Sequence, residues 1–311
     1  MYFTHLNLSS LPSHYDGRAI TIGSFDGIHI GHQKILAELN QYAKAHNLQR
    51  TLVTFSPLPP EYFKKGISHR LMSLRDKAEF LKKNDLVDEI ILIPFSKAMA
   101  TITADSFLDD ILIDHLQMKA LFVGKDFKFG HKAQGNIEFL AEALKDRYYF
   151  SAIDDLTRND IRVSSTKIRE YLADSNLPAA KEFLGRDYSL IGKVVPGNQL
   201  ARTWGMPTIN IHLQHDFPLI GIYNATAENL CTGKKYTGAA SIGFRPTIGG
   251  TSVVLEVHLH DTNEDLYGQF FKISFINKMR DEIKFDTLED LRKQIEHDIT
   301  DSYSFFKDYS E

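Results

Sequence analysis

The sequence predicts an α/β domain built on a parallel sheet, followed by a smaller antiparallel β-barrel that ends in a helix. Three observations carry this. Short apolar segments alternate with amphipathic ones through the first half, six β-like segments follow one another closely in the second, and the chain then returns to helical periodicity. A length of 311 residues suits two domains. The change of character places their boundary near Arg186, as 1–185 and 186–311.

In order, AITIGSFDGIHIGHQKIL (19–36) reads as a buried strand, a glycine turn and the start of a helix. Ile35, Leu36, Leu39 and Ala43 continue that helix at helical spacing. RTLVTFS (50–56), EIILIPF (89–95), KALFVG (119–124) and RYYFSAI (147–153) read as further strands. SLRDKAEFLKKND, ADSFLDDILIDHL and GNIEFLAEAL read as the helices between them. Such alternation implies a parallel sheet covered on both faces. Beyond Arg186, YSLIGKVVPG, MPTINIHL, GIYNATAEN, KKYTGAASIG, VVLEVHLHD and QFFKISFI are separated by Gly, Pro, Asn and Asp, the pattern of a small barrel. TLEDLRKQIEHDITDSYSFF closes as a helix with Leu288, Leu291, Ile295 and Ile299 on one face.

The 36 basic and 40 acidic side chains give a net charge of −4, which argues against a broad nucleic-acid footprint. The single cysteine, Cys231, cannot form an internal disulfide and reads as a small hydrophobe. MYFTHLNLSS lacks the basic and apolar regions of a secretory signal, and no apolar run is long enough to span a membrane. The expectation is a cytoplasmic protein, monomeric or weakly oligomeric, whose partners are small molecules rather than nucleic acid or membrane.

Chemistry concentrates at a few places. Gly23, Gly27 and Gly31 let the backbone approach a polyanion, and the helix start behind them favours phosphate. His29 and His32 can donate to phosphoryl oxygens, or become charged as a leaving group gains negative charge. They also read as half of a metal site, although no suitable third ligand lies nearby, or as ordinary helix-start residues. Open parallel sheets bind ligands at the carboxyl ends of their strands, where Phe55-Ser56-Pro57-Leu58-Pro59 and GKDFKFG (124–130) fall, each also readable as a plain loop. In RVSSTKIREYLAD, one of Ser164, Ser165 and Thr166 suits an N-cap, and with Lys167 and Arg169 they could clamp a triphosphate.

In the second half, Thr208 and Asn210 share one face of a strand and could ligate Mg²⁺ on a nucleotide. Glu256, His258 and His260 lie opposite Leu255, Val257 and Leu259, with Glu256 suited to take a hydroxyl proton during phosphoryl transfer. VVPGNQLAR puts a turn at Gly197 before Arg202, suited to phosphate. Each also reads as polar residues on a half-exposed strand.

GSFDGIHIGH resembles the GxFDGxHxGH motif of the nucleotidyltransferase superfamily in the form found in prokaryotic FAD synthetases. HIGH is shared with class I aminoacyl-tRNA synthetases, but neither a basic face nor a KMSKS-like loop accompanies it here. The order of that turn, TFSPLP, GKDFKFG and VSSTKIR resembles the adenylyltransferase module of the prokaryotic bifunctional riboflavin kinase/FAD synthetases. The second half resembles their kinase module at Gly192, Val194, Gly197, Arg202, Gly205, Pro207, Thr208, Asn210, Arg245, Glu256, Tyr267, Gly268, Arg280, Glu282 and Phe285.

The resemblance implies a Rossmann-like nucleotidyltransferase domain followed by a riboflavin kinase-like barrel. ATP is the expected co-substrate, and riboflavin, FMN and FAD the substrates and products. It implies catalytic roles for His29, His32, Arg169 and Glu256, and ATP contacts at Gly23, Phe25, Gly27, Gly31, Ser164, Ser165, Thr166, Lys167, Gly197 and Arg202. Flavin is expected near Phe55, Pro57, Asp126, Phe127, Arg280 and Phe285, and Mg²⁺ at Thr208 and Asn210. Ala201, Ile209 and Asn224 depart from the family pattern. An FAD synthetase with a silent kinase domain, and a flavin- or nucleotide-binding protein without turnover, are the alternatives.

Overall fold

The computed structural model describes residues 1–5, 16–63, 69–197, 200–213, 215–247, 250–262 and 264–309. The chain forms two compact units, one of Met1–Ser68 and Lys77–Ser164, the other of His69–Asp76 and Ser165–Glu311.

In the first unit, β1 (Tyr2–His5), β2 (Arg18–Ile22), β3 (Gln49–Ser56), β4 (Glu89–Pro94), β5 (Met118–Gly124) and β6 (Tyr149–Ile153) form one sheet in the order β1-β4-β3-β2-β5-β6. Every neighbouring pair is parallel, as the alternation predicts. Strand β1 is an addition. It pairs along β4 and is itself an edge of the sheet, with Tyr2 opposite Glu89. The helices are α1 (Ile30–Ala45), the short α2 (Pro59–Phe63), α3 (Leu74–Lys83), which spans the division between units, α4 (Lys97–Thr101), α5 (Ala104–Ser106) and α6 (Ile137–Leu144). Where ADSFLDDILIDHL predicts an α-helix, α5 passes into a π-helix over Phe107–His115. Burial of Phe107, Leu108, Ile111 and Leu112 suits either hydrogen-bond register, so apolar spacing alone does not separate the two. Ile35, Leu36, Leu39 and Ala43 are the buried residues of α1. Ile20, Ile22, Val53, Ile91, Ile93, Leu121 and Val123 join Phe107, Leu112, Leu140 and Leu144 in one core cluster. A hairpin of β7 (Thr157–Arg158) and β8 (Ile161–Arg162) precedes the second unit.

The second unit holds α7 (Ser165–Ala173), α8 (Leu177–Leu184) and a closed barrel of β9 (Ser189–Val195), β10 (Ile209–His212), β11 (Gly221–Asn229), β12 (Lys235–Thr247), β13 (Gly250–Leu259) and β14 (Phe270–Arg280), with α9 (Leu200–Thr203) between β9 and β10. Barrel order is β10-β13-β12-β11-β14-β9, every pair antiparallel. Alternation puts Tyr223, Ala225, Ala227, Ala240, Ile242, Leu255, Val257, Ile273 and Phe275 in the core. Strand β14 outruns its predicted segment QFFKISFI to reach Arg280, because Asn277, Lys278 and Arg280 still pair with β11. On the closing helix α10 (Leu288–Tyr309), the predicted stripe needs one correction: Leu288 is 62% exposed, whereas Asp298, Ser302 and Phe306 are buried. Leu291, Ile295 and Ile299 are half-buried, and full burial begins only at Asp298, nearly three turns after Leu288.

A carboxylate ties β9 into this unit. Asp76, 5% exposed, accepts hydrogen bonds from the backbone N–H of Ser73 (2.8 Å) and of Ile191 (2.7 Å), and from the Ser73 hydroxyl. Burial pushes its pKa up to about 6, against those hydrogen bonds. The folded protein therefore binds this proton more tightly than the unfolded chain. The contribution of Asp76 to stability is greatest below its unfolded pKa, falls as pH rises from about 4 to about 6, and is then flat. Asp76→Asn is expected to remove a fall of roughly 3 kcal/mol across that window, read from urea unfolding at stepped pH.

Candidate active sites

The first site is built where β2 runs into α1. Gly23 N–H bonds the carbonyl of Val53 (3.1 Å), and the chain turns with left-handed backbone at Phe25 (φ 44°), Gly27 (φ 84°) and Ile28 (φ 38°). His29 then caps α1, its Nδ1 accepting the backbone N–H of His32 at 3.3 Å. A backbone N–H can only donate, so Nδ1 is the acceptor and the neutral ring carries its proton on Nε2. The rings of His29 and His32 stack at 3.7 Å, with Phe25 against His32 at 4.6 Å. Gly31 leaves the room this requires, since a Cβ there would stand 3.2 Å from the His29 ring. Six predicted site residues, Gly23, Phe25, Gly27, His29, Gly31 and His32, thus share one turn.

The other predicted loops follow strands of the same sheet at its carboxyl edge. Phe55 meets Phe95 edge-on at 5.5 Å, and Phe95 in turn meets Tyr62 and Phe63 at 5.3 and 5.8 Å. Phe127 stacks on Phe129 at 5.5 Å, and Phe55 and Phe127 both pack against the core cluster. Pro57 is exposed. Asp126 forms an ion pair with Arg162, which also reaches Asp155 at 2.9 Å. Arg162 escaped the sequence reading because its partners lie in two other loops.

Ser164 ends the first unit, and Ser165, Thr166, Lys167 and Arg169 belong to the second, on α7. Lys167 pairs with Glu170 at 2.8 Å, and Arg169 Nε donates to the carbonyl of His69 at 2.7 Å.

The second site is a cavity of about 320 Å³ on the outer face of the barrel, lined by β10 to β14 side chains and by Leu291, Ile295 and Ile299 of α10. Register assembles it. Asn210 is opposite Glu256, Glu256 opposite Ser241 and Ser241 opposite Ile222, one cross-strand row along the wall. Thr208, His258, Arg280, Glu282 and Phe285 line the same cavity. His258 Nδ1 lies 3.0 Å from the carbonyl of Pro207, and since a carbonyl only accepts, the proton sits on Nδ1 and Nε2 is an acceptor. Burial lowers the pKa of His258, against that hydrogen bond. Burial, with His258 nearby, pushes His260 down to about 4, and its ring stacks on Tyr303 of α10 at 3.7 Å. Both imidazoles are therefore neutral near pH 7.

Arg280 meets Asp298 of α10 through a two-pronged pair, Nε to Oδ1 at 2.9 Å and Nη2 to Oδ2 at 2.6 Å. Gln294 adds a bond to the same carboxylate at 2.9 Å. Gly197 abuts Asn210 closely enough that a Cβ would fall 2.2–2.4 Å from its amide atoms. The side chain of Arg202, in α9, lies outside the described residues, as does that of Arg245.

Residues 11–167 match the family described as FAD synthetase, and residues 184–306 the family described as riboflavin kinase. A bifunctional riboflavin kinase/FMN adenylyltransferase from Haemophilus influenzae is 43% identical over 294 residues, 93% of this chain and 94% of that protein. The chain belongs to the bifunctional riboflavin kinase/FMN adenylyltransferase family. The member from Escherichia coli K12 is 37% identical over 304 residues, 96% of each chain. A crystal structure from Streptococcus pneumoniae, described as a macrolide-efflux protein, is similar with a TM-score of 0.79 and 27% identity, over 96% of this chain and 97% of that one. Among the described residues here, no helix is long and apolar enough to cross a membrane.

Two departures from the family pattern find a place in this geometry. Ala201 sits in the helical turn of α9, where no left-handed backbone calls for glycine. Ile209 is opposite Val257, on the face of β10 turned away from the cavity row. Asn224, by contrast, is 3% exposed with no hydrogen-bond partner for Oδ1, and nothing in the structure explains it.

Proposed function

We propose that this chain phosphorylates riboflavin to FMN and adenylates FMN to FAD, the activities in its relatives' names. The observation that carries the reading is the joint presence of the stacked histidine turn on the sheet and the Asn210–Glu256 row in the barrel cavity.

In the kinase step, Glu256 takes the proton of the ribityl 5′-hydroxyl as its oxygen attacks the γ-phosphorus of ATP, and ADP leaves. Thr208 and Asn210, neutral oxygens two residues apart, would hold Mg²⁺, which when bound neutralises polyphosphate charge. Phe285 and the α10 residues Leu291, Ile295 and Ile299 supply apolar surface for a flavin ring. In the adenylyl step an oxygen of the FMN phosphate attacks the α-phosphorus of ATP and pyrophosphate leaves, with no protein nucleophile needed. The tasks of the protein are alignment and charge stabilisation, served by His29 Nε2–H, by His32 and by the N-terminus of α1. The Ser164–Arg169 segment is assigned to the β and γ phosphates, and Phe55, Pro57, Asp126 and Phe127 to FMN. We further place the protein in the cytoplasm, as a monomer or weak oligomer with small-molecule partners only.

The test is chromatographic separation of flavins after incubation with Mg²⁺ and ATP, once with riboflavin and once with FMN. FAD from both is expected. FAD from FMN alone would mean a silent kinase, and FAD from neither would overturn the reading.

A further inference from the structure

The histidine turn contains two buried non-glycine residues with left-handed backbone, Phe25 (φ 44°, 3% exposed) and Ile28 (φ 38°, 0% exposed). Side chains disfavour that region, and such residues persist where their surroundings over-determine them. Two long side chains grip the carbonyls beside them. Gln33 Nε2 donates to the Ile28 carbonyl at 2.9 Å. Lys77, on α3 and 53 residues from its target, places Nζ 2.6 Å from the Ser24 carbonyl and 3.4 Å from the Thr54 hydroxyl. Lys77 is only 4% exposed and Thr54 only 1%. A buried ammonium is costly to desolvate, and a methionine of similar length would fill the same space without that cost. The lysine takes hold of the peptide that leads into Phe25.

We propose that Lys77 is a positioning residue for adenylyl transfer: by clamping the Ser24–Phe25 peptide it sets the turn, and through the turn the ring of His29 that caps α1. This rests on reading the first unit as an FMN adenylyltransferase. Lys77 joins α3 to the reacting region without being asked to touch substrate.

The experiment compares wild type with Lys77→Met, Lys77→Arg and Gln33→Met. Three readouts are taken on each protein: FAD formation from FMN, riboflavin phosphorylation as a control on the second unit, and the imidazole NMR resonances of His29 without ligand. Lys77→Met is expected to lower kcat for adenylyl transfer by about 100-fold, the loss typical of a misplacement near 1 Å, with KM for ATP and FMN little changed. Lys77→Arg recovers part of the rate, Gln33→Met shifts the same His29 resonances, and phosphorylation of riboflavin is unaffected. Unmoved His29 resonances in Lys77→Met, or a kcat that stays within about threefold of wild type, would overturn the proposal. If wild type makes no FAD, the functional reading fails, while the resonances still decide whether the clamp exists.

Discussion

With Glu256 replaced by glutamine, riboflavin phosphorylation is expected to fall by about 10²–10⁴-fold, the usual worth of a positioned general base, while FMN is still adenylated. Glutamine keeps the shape of the side chain and its place opposite Asn210 and Ser241, so the cavity wall is preserved. What disappears is the carboxylate. The imidazole of His258, on the same strand face, presents a bare Nε2 and is the natural rival for the proton. Its lowered pKa makes it a weak base, and its Nδ1–H is committed to Pro207. A Glu256→Gln enzyme that phosphorylates riboflavin at the wild-type rate, paired with a His258→Gln enzyme that does not, would transfer the role to the histidine. FAD formation from FMN in the same tube reports that the remainder of the protein is intact.

Gly197→Ala is expected to weaken the use of Mg²⁺–ATP by the kinase by about 10–100-fold, comparable with the loss of a partner that orients a metal ligand. The new methyl would stand 2.2 Å from the Asn210 amide nitrogen and 2.4 Å from its oxygen, closer than side chains approach one another. Asn210 cannot retreat along its backbone, because β10 is paired at that residue with Val195 on one side and Glu256 on the other. The amide must rotate, and one of two oxygens assigned to the metal leaves its place. Titration of the rate with Mg²⁺ checks this: excess metal should restore part of the activity of Gly197→Ala. An unchanged Mg²⁺ dependence would show that Asn210 holds no metal, leaving Gly197 a role in packing alone.

The strands were legible where burial on both faces makes their runs mostly apolar, as in β2 and β4, whose residues are almost all buried. The histidine turn was legible because its glycines and imidazoles are adjacent in sequence. Strand β1 was not, since a four-residue edge strand is defined by backbone pairing to β4 and needs no pattern of its own. The end of β14 was lost for a related reason: Asn277–Arg280 has no alternation to read, yet it carries Arg280 to the cavity. Partners distant along the chain left no local mark at all. Nothing near Arg162 announces Asp126, nothing near Arg280 announces Asp298, and nothing in SLRDK announces that its aspartate and its lysine serve different units. The common face of His258 and His260 with Glu256 followed from period-2 spacing, whereas their neutrality follows from burial, which at His258 outweighs the opposing hydrogen bond to the Pro207 carbonyl.

The eight residues His69–Asp76 belong to the barrel unit although the chain on both sides of them belongs to the sheet unit. The polypeptide therefore changes unit three times, and no single break in it separates the two. Cut anywhere between Asp76 and Ile191, the barrel fragment would lose the carboxylate that receives the Ile191 N–H, leaving a buried donor unanswered at the start of β9. A barrel that is to stand alone must bring a replacement acceptor with it, so in this protein the two halves are tied by the second's own need for a borrowed strap.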